Sequence, residues 1–120
     1  MYSRWKNTLL AGLTALAFIG NARAEEVVVG IQTSETGPFA AYAGFATRSG
    51  IDAALEFIKT SNYLGYGRTI KAIYEDNGSD KTQAITLTNR FATRDKVSIM
   101  VGPVATPLAL AAAPVAQQLA

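Results

Sequence analysis

Short apolar runs that alternate with stretches of helical periodicity constrain this chain more than any other feature. Val27 to Thr33 (VVVGIQT) is apolar almost throughout, as a strand buried on both faces of a parallel sheet must be. A loop with a Gly37-Pro38 turn follows. From about Ala41 to Thr60 the residues Ile51, Ala54, Leu55 and Ile58 recur on one helical face, with Arg48, Asp52, Glu56 and Lys59 on the wet side. Ser61 to Gly67 breaks that pattern. A second strand, Thr69 to Tyr74, runs into the acidic pair Glu75-Asp76 and an Asn77-Gly78 turn. Asp80 then caps a helix, with Gln83 three residues on in capping-box position. Ala84, Leu87, Thr88 and Phe91 form its stripe, and Arg90 and Arg94 suit its negative end. The third strand is Val97 to Val101, closed by Gly102-Pro103. A last helix starts near Thr106, with Pro107 at its first position, and Pro114 is expected to interrupt or kink it. Strands joined by helical crossovers predict an α/β fold, a parallel sheet with helices on both faces. Three strands make a thin sheet, and the last helix runs to Ala120 with no closing strand or capping glycine, so residues 25–120 are expected to be a truncated or partial product.

Residues 1–24 read as a cleavable secretory signal. Arg4 and Lys6 give a positive start, Leu9 to Ile19 an apolar core, and Ala22-Arg23-Ala24 a small-x-small cleavage site. The apolar run is shorter than the roughly 20 residues a membrane-spanning helix needs. A lipid anchor is excluded, because it needs a cysteine at the cleavage site and the chain has none. The leader carries Arg4, Lys6 and Arg23. The overall charge of +2 therefore becomes −1 after cleavage, with eight basic against nine acidic residues. The basic balance belongs to the leader and gives no argument for nucleic acid as a partner.

Composition also narrows the chemistry. With no cysteine there is no disulfide framework and no thiol catalysis; with no histidine, the commonest metal ligand and general base is missing. No phosphate loop or dinucleotide fingerprint follows a strand. No catalytic residue, metal site or cofactor is expected. Glu75-Asp76 at a strand end is where a magnesium ion would sit in a phosphoacceptor domain, but hydrogen bonds to the following turn and Ser79 are the simpler role. Ligands of open parallel sheets sit beyond the carboxyl ends of the strands. Two such loops stand out. Ser34 to Tyr42 offers Phe39 and Tyr42 as an apolar wall, and Gly102 to Pro107 offers a threonine hydroxyl and backbone N–H groups at a helix start, which suit a carboxylate.

These segments, T-G-P-F-A-A-Y-A-G (Thr36 to Gly44), G-R-T-I-K-A-I-Y-E-D-N-G-S-D (Gly67 to Asp80), V-S-I-M-V-G-P-V-A-T (Val97 to Thr106) and A-A-A-P-V-A (Ala111 to Ala116), stand in an order that resembles one family. It is similar to the N-terminal part of periplasmic substrate-binding proteins of ABC transporters, in the branched-chain amino acid group. The resemblance covers residues 26 to 118 and implies the type I periplasmic-binding-protein fold, of which this is the first part of lobe one. It implies a small-molecule ligand, an amino acid or related carboxylate or amide, closed between two lobes and delivered to a membrane permease. It places ligand contacts at Tyr42, Val104, Ala105 and Thr106, with the first and third strands side by side. Thr106 stands where serine is common and keeps the hydroxyl. Ser61 to Tyr66 replaces the glycine-rich turn usual there, a departure confined to a surface loop. A sensory ligand-binding domain of the same fold and an exported hydrolase or metal-dependent enzyme are the rival classes. The first calls for a transmembrane or signalling segment, and the second is disfavoured by the lack of histidine and cysteine.

Export to the periplasm with cleavage after Ala24 predicts a mature product beginning at Glu25. Intact-mass analysis checks this, and a membrane-bound product that retains Met1 would overturn it.

Overall fold

The computed structural model describes residues 25–119, so the expected leader lies outside the described residues. Strand β1 (Glu25–Thr33) is flanked on one side by β2 (Arg68–Asp76) and on the other by β3 (Ile99–Val101), all parallel. The register runs from Glu25 opposite Arg68 to Thr33 opposite Asp76. β3 meets only Val29 to Ile31. It is shorter than its sequence suggests because the Val97 N–H bonds the Phe91 carbonyl instead of the sheet, and Lys96 takes a left-handed turn (φ 47°). β2 is longer and takes in Glu75 and Asp76, whose places opposite Gln32 and Thr33 decide which way each carboxylate points.

Paired residues of a parallel ladder share a face, and successive residues alternate. Gln32 and Glu75 face α3 (Lys81–Thr93): Gln32 Nε2 donates to Thr88 Oγ1 at 2.8 Å, and Glu75 pairs with Arg90. Ile31 and Tyr74 face the other way, toward α2 (Phe45–Thr60), where Tyr74 bonds Asp52. Helices therefore cover both faces, as the alternation predicts. α4 (Thr106–Leu119) packs beside α3.

The two faces are unequally filled. On the α3 side, Ala84, Leu87, Thr88 and Phe91 are all buried, the stripe the periodicity predicts. Phe91 lies directly over Gly30, where an added Cβ would come within 2.7 Å of the ring. On the α2 side, Ile51, Leu55 and Ile58 are half-buried, Ala54 is exposed and no residue of the helix is fully buried.

Three local expectations change. The helix placed at 41–60 is two, α1 (Ala40–Ala43) and α2, parted at Gly44. The Ala43 carbonyl accepts from the Ser34 N–H at 3.0 Å, so the loop takes the acceptor a continuous helix would use. Asp80 caps α3 by accepting from the Gln83 N–H at 2.8 Å, but its own N–H goes to the Asn77 carbonyl, so the cap is not reciprocal. Pro114 does not interrupt α4; it and Leu110 both lie on the exposed side, where water can satisfy the carbonyl that Pro114 leaves free.

Gly30→Ala should destabilise the chain by about 1–3 kcal/mol through overpacking against Phe91. Gly50→Ala, in the exposed middle of α2 with open space around it, should stabilise by about 0.5–1 kcal/mol. Urea unfolding midpoints of the two variants should move in opposite directions.

Candidate functional site

The loops after β1, β2 and β3 meet at the carboxyl end of the sheet. The first carries α1, where Tyr42 is 58% exposed and its ring lies 5.9 Å from that of Phe39, tilted against it. Ala43, next along, is fully buried in a cluster with Ala84 of α3 and Ala105 and Leu108 from the third loop and α4. That cluster brings the first loop and the third together. Phe39 packs against its edge.

In the third loop, Gly102 takes a left-handed conformation (φ 86°) against the Gln32 carbonyl, where a side chain would collide. Val104 is 42% exposed and Ala105 1%. With its methyl group in the core, Ala105 can offer a ligand only its backbone. The sequence suggests Thr106 as a helix cap and Pro107 as the first helical residue; the structure moves both by one. The Ala105 carbonyl accepts the Ala109 N–H at 3.0 Å, which puts Ala105 at the cap and Thr106 in the first turn. Alanine has no side-chain acceptor. Among the described residues, neither the Thr106 hydroxyl nor the Ala105 and Thr106 N–H groups have a hydrogen-bond partner, and Thr106 is exposed. The start of α4 thus carries N–H groups with no internal partner, at the positive end of the helix and with Thr106 exposed.

The second loop joins the first. Asp76 Oδ1 accepts from the N–H groups of Glu35 (2.9 Å), Thr36 (3.4 Å) and Gly78 (2.8 Å), and Oδ2 from the Thr36 hydroxyl at 2.6 Å. Burial pushes the Asp76 carboxyl up, but these bonds outweigh it and hold the group below its ordinary value. Beneath it, the buried Asn77 Oδ1 accepts from Ser34 Oγ at 2.7 Å and from the Ser79 N–H at 3.0 Å. Glu75, on the opposite face, is held by Arg90, which also bonds Asp95 at 3.1 Å. The adjacent acids therefore diverge: Asp76 bonds the following turn through the Gly78 N–H, as the simpler reading expects, but Glu75 goes to Arg90 and neither acid bonds Ser79. Among the described residues no cluster of three acidic side chains is placed to hold a metal.

A further group escapes sequence reasoning. Arg48 and Asp52, assigned there to the wet face, reach the sheet. Arg48 bonds Glu35 at 2.8 Å and lies 4.1 Å over the Tyr74 ring, and Asp52 accepts from the Tyr74 hydroxyl. Burial first, then the Asp52 bond, pushes the Tyr74 hydroxyl up to about 12. No sequence signal joins residues so far apart in the chain. A cavity of about 660 Å³ lies elsewhere, between α2 and the start of β2, lined by Leu55, Ile58, Leu64 and Ile70. It includes no residue of the three loops.

The chain belongs to the periplasmic binding protein family, whose model matches residues 26–119. It is 34% identical over 100 residues to the Leu/Ile/Val-binding protein homolog 1 of Brucella abortus, across 81% of this chain and 26% of that protein. A crystal structure described as a possible leucine/isoleucine/valine-binding protein from Rhodopirellula baltica superposes with a TM-score of 0.73 at 34% identity, over 82% of this chain and 26% of the other. A branched-chain amino acid transporter substrate-binding protein from Streptococcus pneumoniae, in complex with isoleucine, gives 0.70 at 30%, over 79% and 27%. A solute-binding protein from Rhodopseudomonas palustris, in complex with 4-hydroxybenzoate, gives 0.65 at 30%, over 79% and 25%. The sheet and its helices are thus part of the type I periplasmic-binding-protein fold, and the chain spans about a quarter of the length of the relatives it matches.

Because both carboxylates are occupied, millimolar magnesium should leave the chain unchanged. A calorimetric titration should show no saturable heat, and a stoichiometric response lost in Asp76→Asn would restore the metal reading.

Proposed function

We propose that these residues are the ligand-facing part of the first lobe of an extracytoplasmic solute-binding protein of an ABC importer. Exported to the periplasm and freed of residues 1–24, the protein captures an amino acid or a similar small carboxylate or amide between two lobes and passes it to a membrane permease. No covalent chemistry is involved.

One observation carries this reading. β1 and β3 are neighbours, yet the loop after β1 leads to a helix on one face and the loop after β3 to a helix beside α3 on the other. Such a divergence opens a crevice at the carboxyl ends of the strands, where open α/β sheets bind ligands. The unsatisfied start of α4 lines it, with the Thr106 hydroxyl and the Ala105 and Thr106 N–H groups as donors for a carboxylate. Tyr42 and the exposed part of Val104 give the wall for an apolar body. Isoleucine and 4-hydroxybenzoate, bound by two of the relatives, both join a carboxylate to an apolar body, which fits that division of labour.

In a protein carrying both lobes, Thr106→Val should weaken binding about ten- to a hundredfold, the size of a lost hydrogen bond to a charged group. Its melting temperature should stay nearly constant, because the hydroxyl makes no internal bond and Ala105 holds the cap position. Tyr42→Ala should weaken apolar ligands more than glycine-sized ones. Residues 25–120 alone should show no micromolar binding, since a small-molecule site must enclose most of its ligand. Calorimetry with a panel of amino acids and aromatic carboxylates, beside thermal melts, measures all of these. A Thr106→Val protein that loses melting temperature but keeps its affinity would sink the site assignment.

A further inference from the structure

We infer that Asp76 and Ser79 are positioning residues for the ligand-facing loop: together they set the backbone of residues 35–39 and, through it, the place of Tyr42. What the loop positions rests on the reading of Tyr42 as a pocket wall; the clasp itself stands on geometry.

Residues 35–39 have little hydrogen bonding of their own. The N–H groups of Glu35 and Thr36 and the Thr36 hydroxyl all go to the Asp76 carboxylate. The Thr36 carbonyl and the Phe39 N–H both go to one hydroxyl, Ser79 Oγ, which donates to the first at 2.6 Å and accepts from the second at 3.0 Å. Ser79 reaches both because its backbone is left-handed (φ 59°). Gly37, also left-handed, lies so close to the second loop that a Cβ there would fall 2.6 Å from the Gly78 carbonyl and 2.7 Å from Ser79 Cβ.

The register explains why the clasp sits there. Asp76 is opposite Thr33, so its carboxylate rises on the α2 face where the chain leaves β1. Four donors on two oxygens leave little capacity for a ligand, so Asp76 acts through the loop and not on solute. Phe39, fixed by Ser79, packs on the edge of the buried cluster and presents its ring to Tyr42. Of the neighbouring charges, Glu35 is tied to Arg48 and Glu75 to Arg90, so neither cation competes for Asp76.

The carboxyl of Asp76 lies below its ordinary value, as four bonds to the ionised form require. Its contribution is complete above the ordinary carboxylate range, about 3.9, and is lost as pH falls through the lowered value.

Amide hydrogen exchange by NMR on the full chain tests the clasp. In Asp76→Asn the Glu35 and Thr36 amides should exchange about ten- to a hundredfold faster, while Val29 and Ile31 in β1 keep their rates. Thr36→Val and Ser79→Ala, milder changes that keep the charge, should loosen the same segment less. The Glu35, Thr36 and Gly78 amide shifts should follow one common titration below the usual carboxylate range, absent in Asp76→Asn. Equal acceleration of loop and strand, or none, would overturn the proposal, as would independent titrations of the three amides. In a protein with both lobes, Asp76→Asn should weaken solute binding and add little to Tyr42→Ala. If Tyr42→Ala weakens binding and Asp76→Asn does not, the positioning role falls. If the loop responds as expected and Tyr42→Ala leaves affinity unchanged, the clasp stands and the solute reading falls instead.

Discussion

The contact between Gly30 and Phe91 is the constraint on which the rest of the sheet depends. β1 is the central strand, and a ring set this close to its middle is possible only because residue 30 has no side chain. That contact seats α3 on the sheet. From α3, Thr88 and Ala84 reach Gln32 one step further along the strand, and Ala84 joins the cluster that holds Ala43, Ala105 and Leu108. The two loops that face the crevice are therefore anchored, through α3, to the same point in the core. On the proposed reading of these loops as ligand-facing, such support matters, because small displacements of contacting groups weaken a binding surface.

The opposite face is held differently. α2 buries none of its residues fully, and its best-defined attachments are polar: Arg48 to Glu35 and over Tyr74, Asp52 to Tyr74. These groups are partly exposed, so each ion pair adds little to stability. Their value is directional. Arg48 binds the loop after β1 and stacks on β2, which fixes the start of α2 relative to the strand ends. Ile51, Leu55 and Ile58 remain half-covered, the last two against a cavity of about 660 Å³. In a chain that spans about a quarter of its relatives' length, the polar contacts orient α2 where apolar burial does not.

Neighbouring residues in this sequence acquire unrelated tasks because strand pleating sends them to opposite faces. Glu75 and Asp76 look like one acidic site when read in line. One joins Arg90 and Asp95 under α3, while the other gathers backbone N–H groups from the loop above β1. Thr106 shows the same sensitivity to a single step. Shifted one place into the helix, it no longer serves as a cap, and its hydroxyl has no internal partner among the described residues.

The local patterns suffice for much of this. The apolar run of β1, the stripe Ala84-Leu87-Thr88-Phe91 and the Asp80 cap are set by nearest neighbours and by period, and each stands where the sequence puts it. Parallel order with helices on both faces follows from strand and helix alternation, and the two loops at the strand ends were legible as candidates for the same reason. What the sequence could not decide is which distant groups share a hydrogen bond. The break at Gly44 depends on the Ser34 N–H taking the Ala43 carbonyl, and the short β3 on Phe91 taking the Val97 N–H. The order of residues 35–39 depends on Asp76 and Ser79, some 40 positions away. Period and propensity describe a segment against water or against its own helix. Hydrogen bonds between loops exist only once the sheet has brought the strand ends together, so the tertiary structure alone determines them.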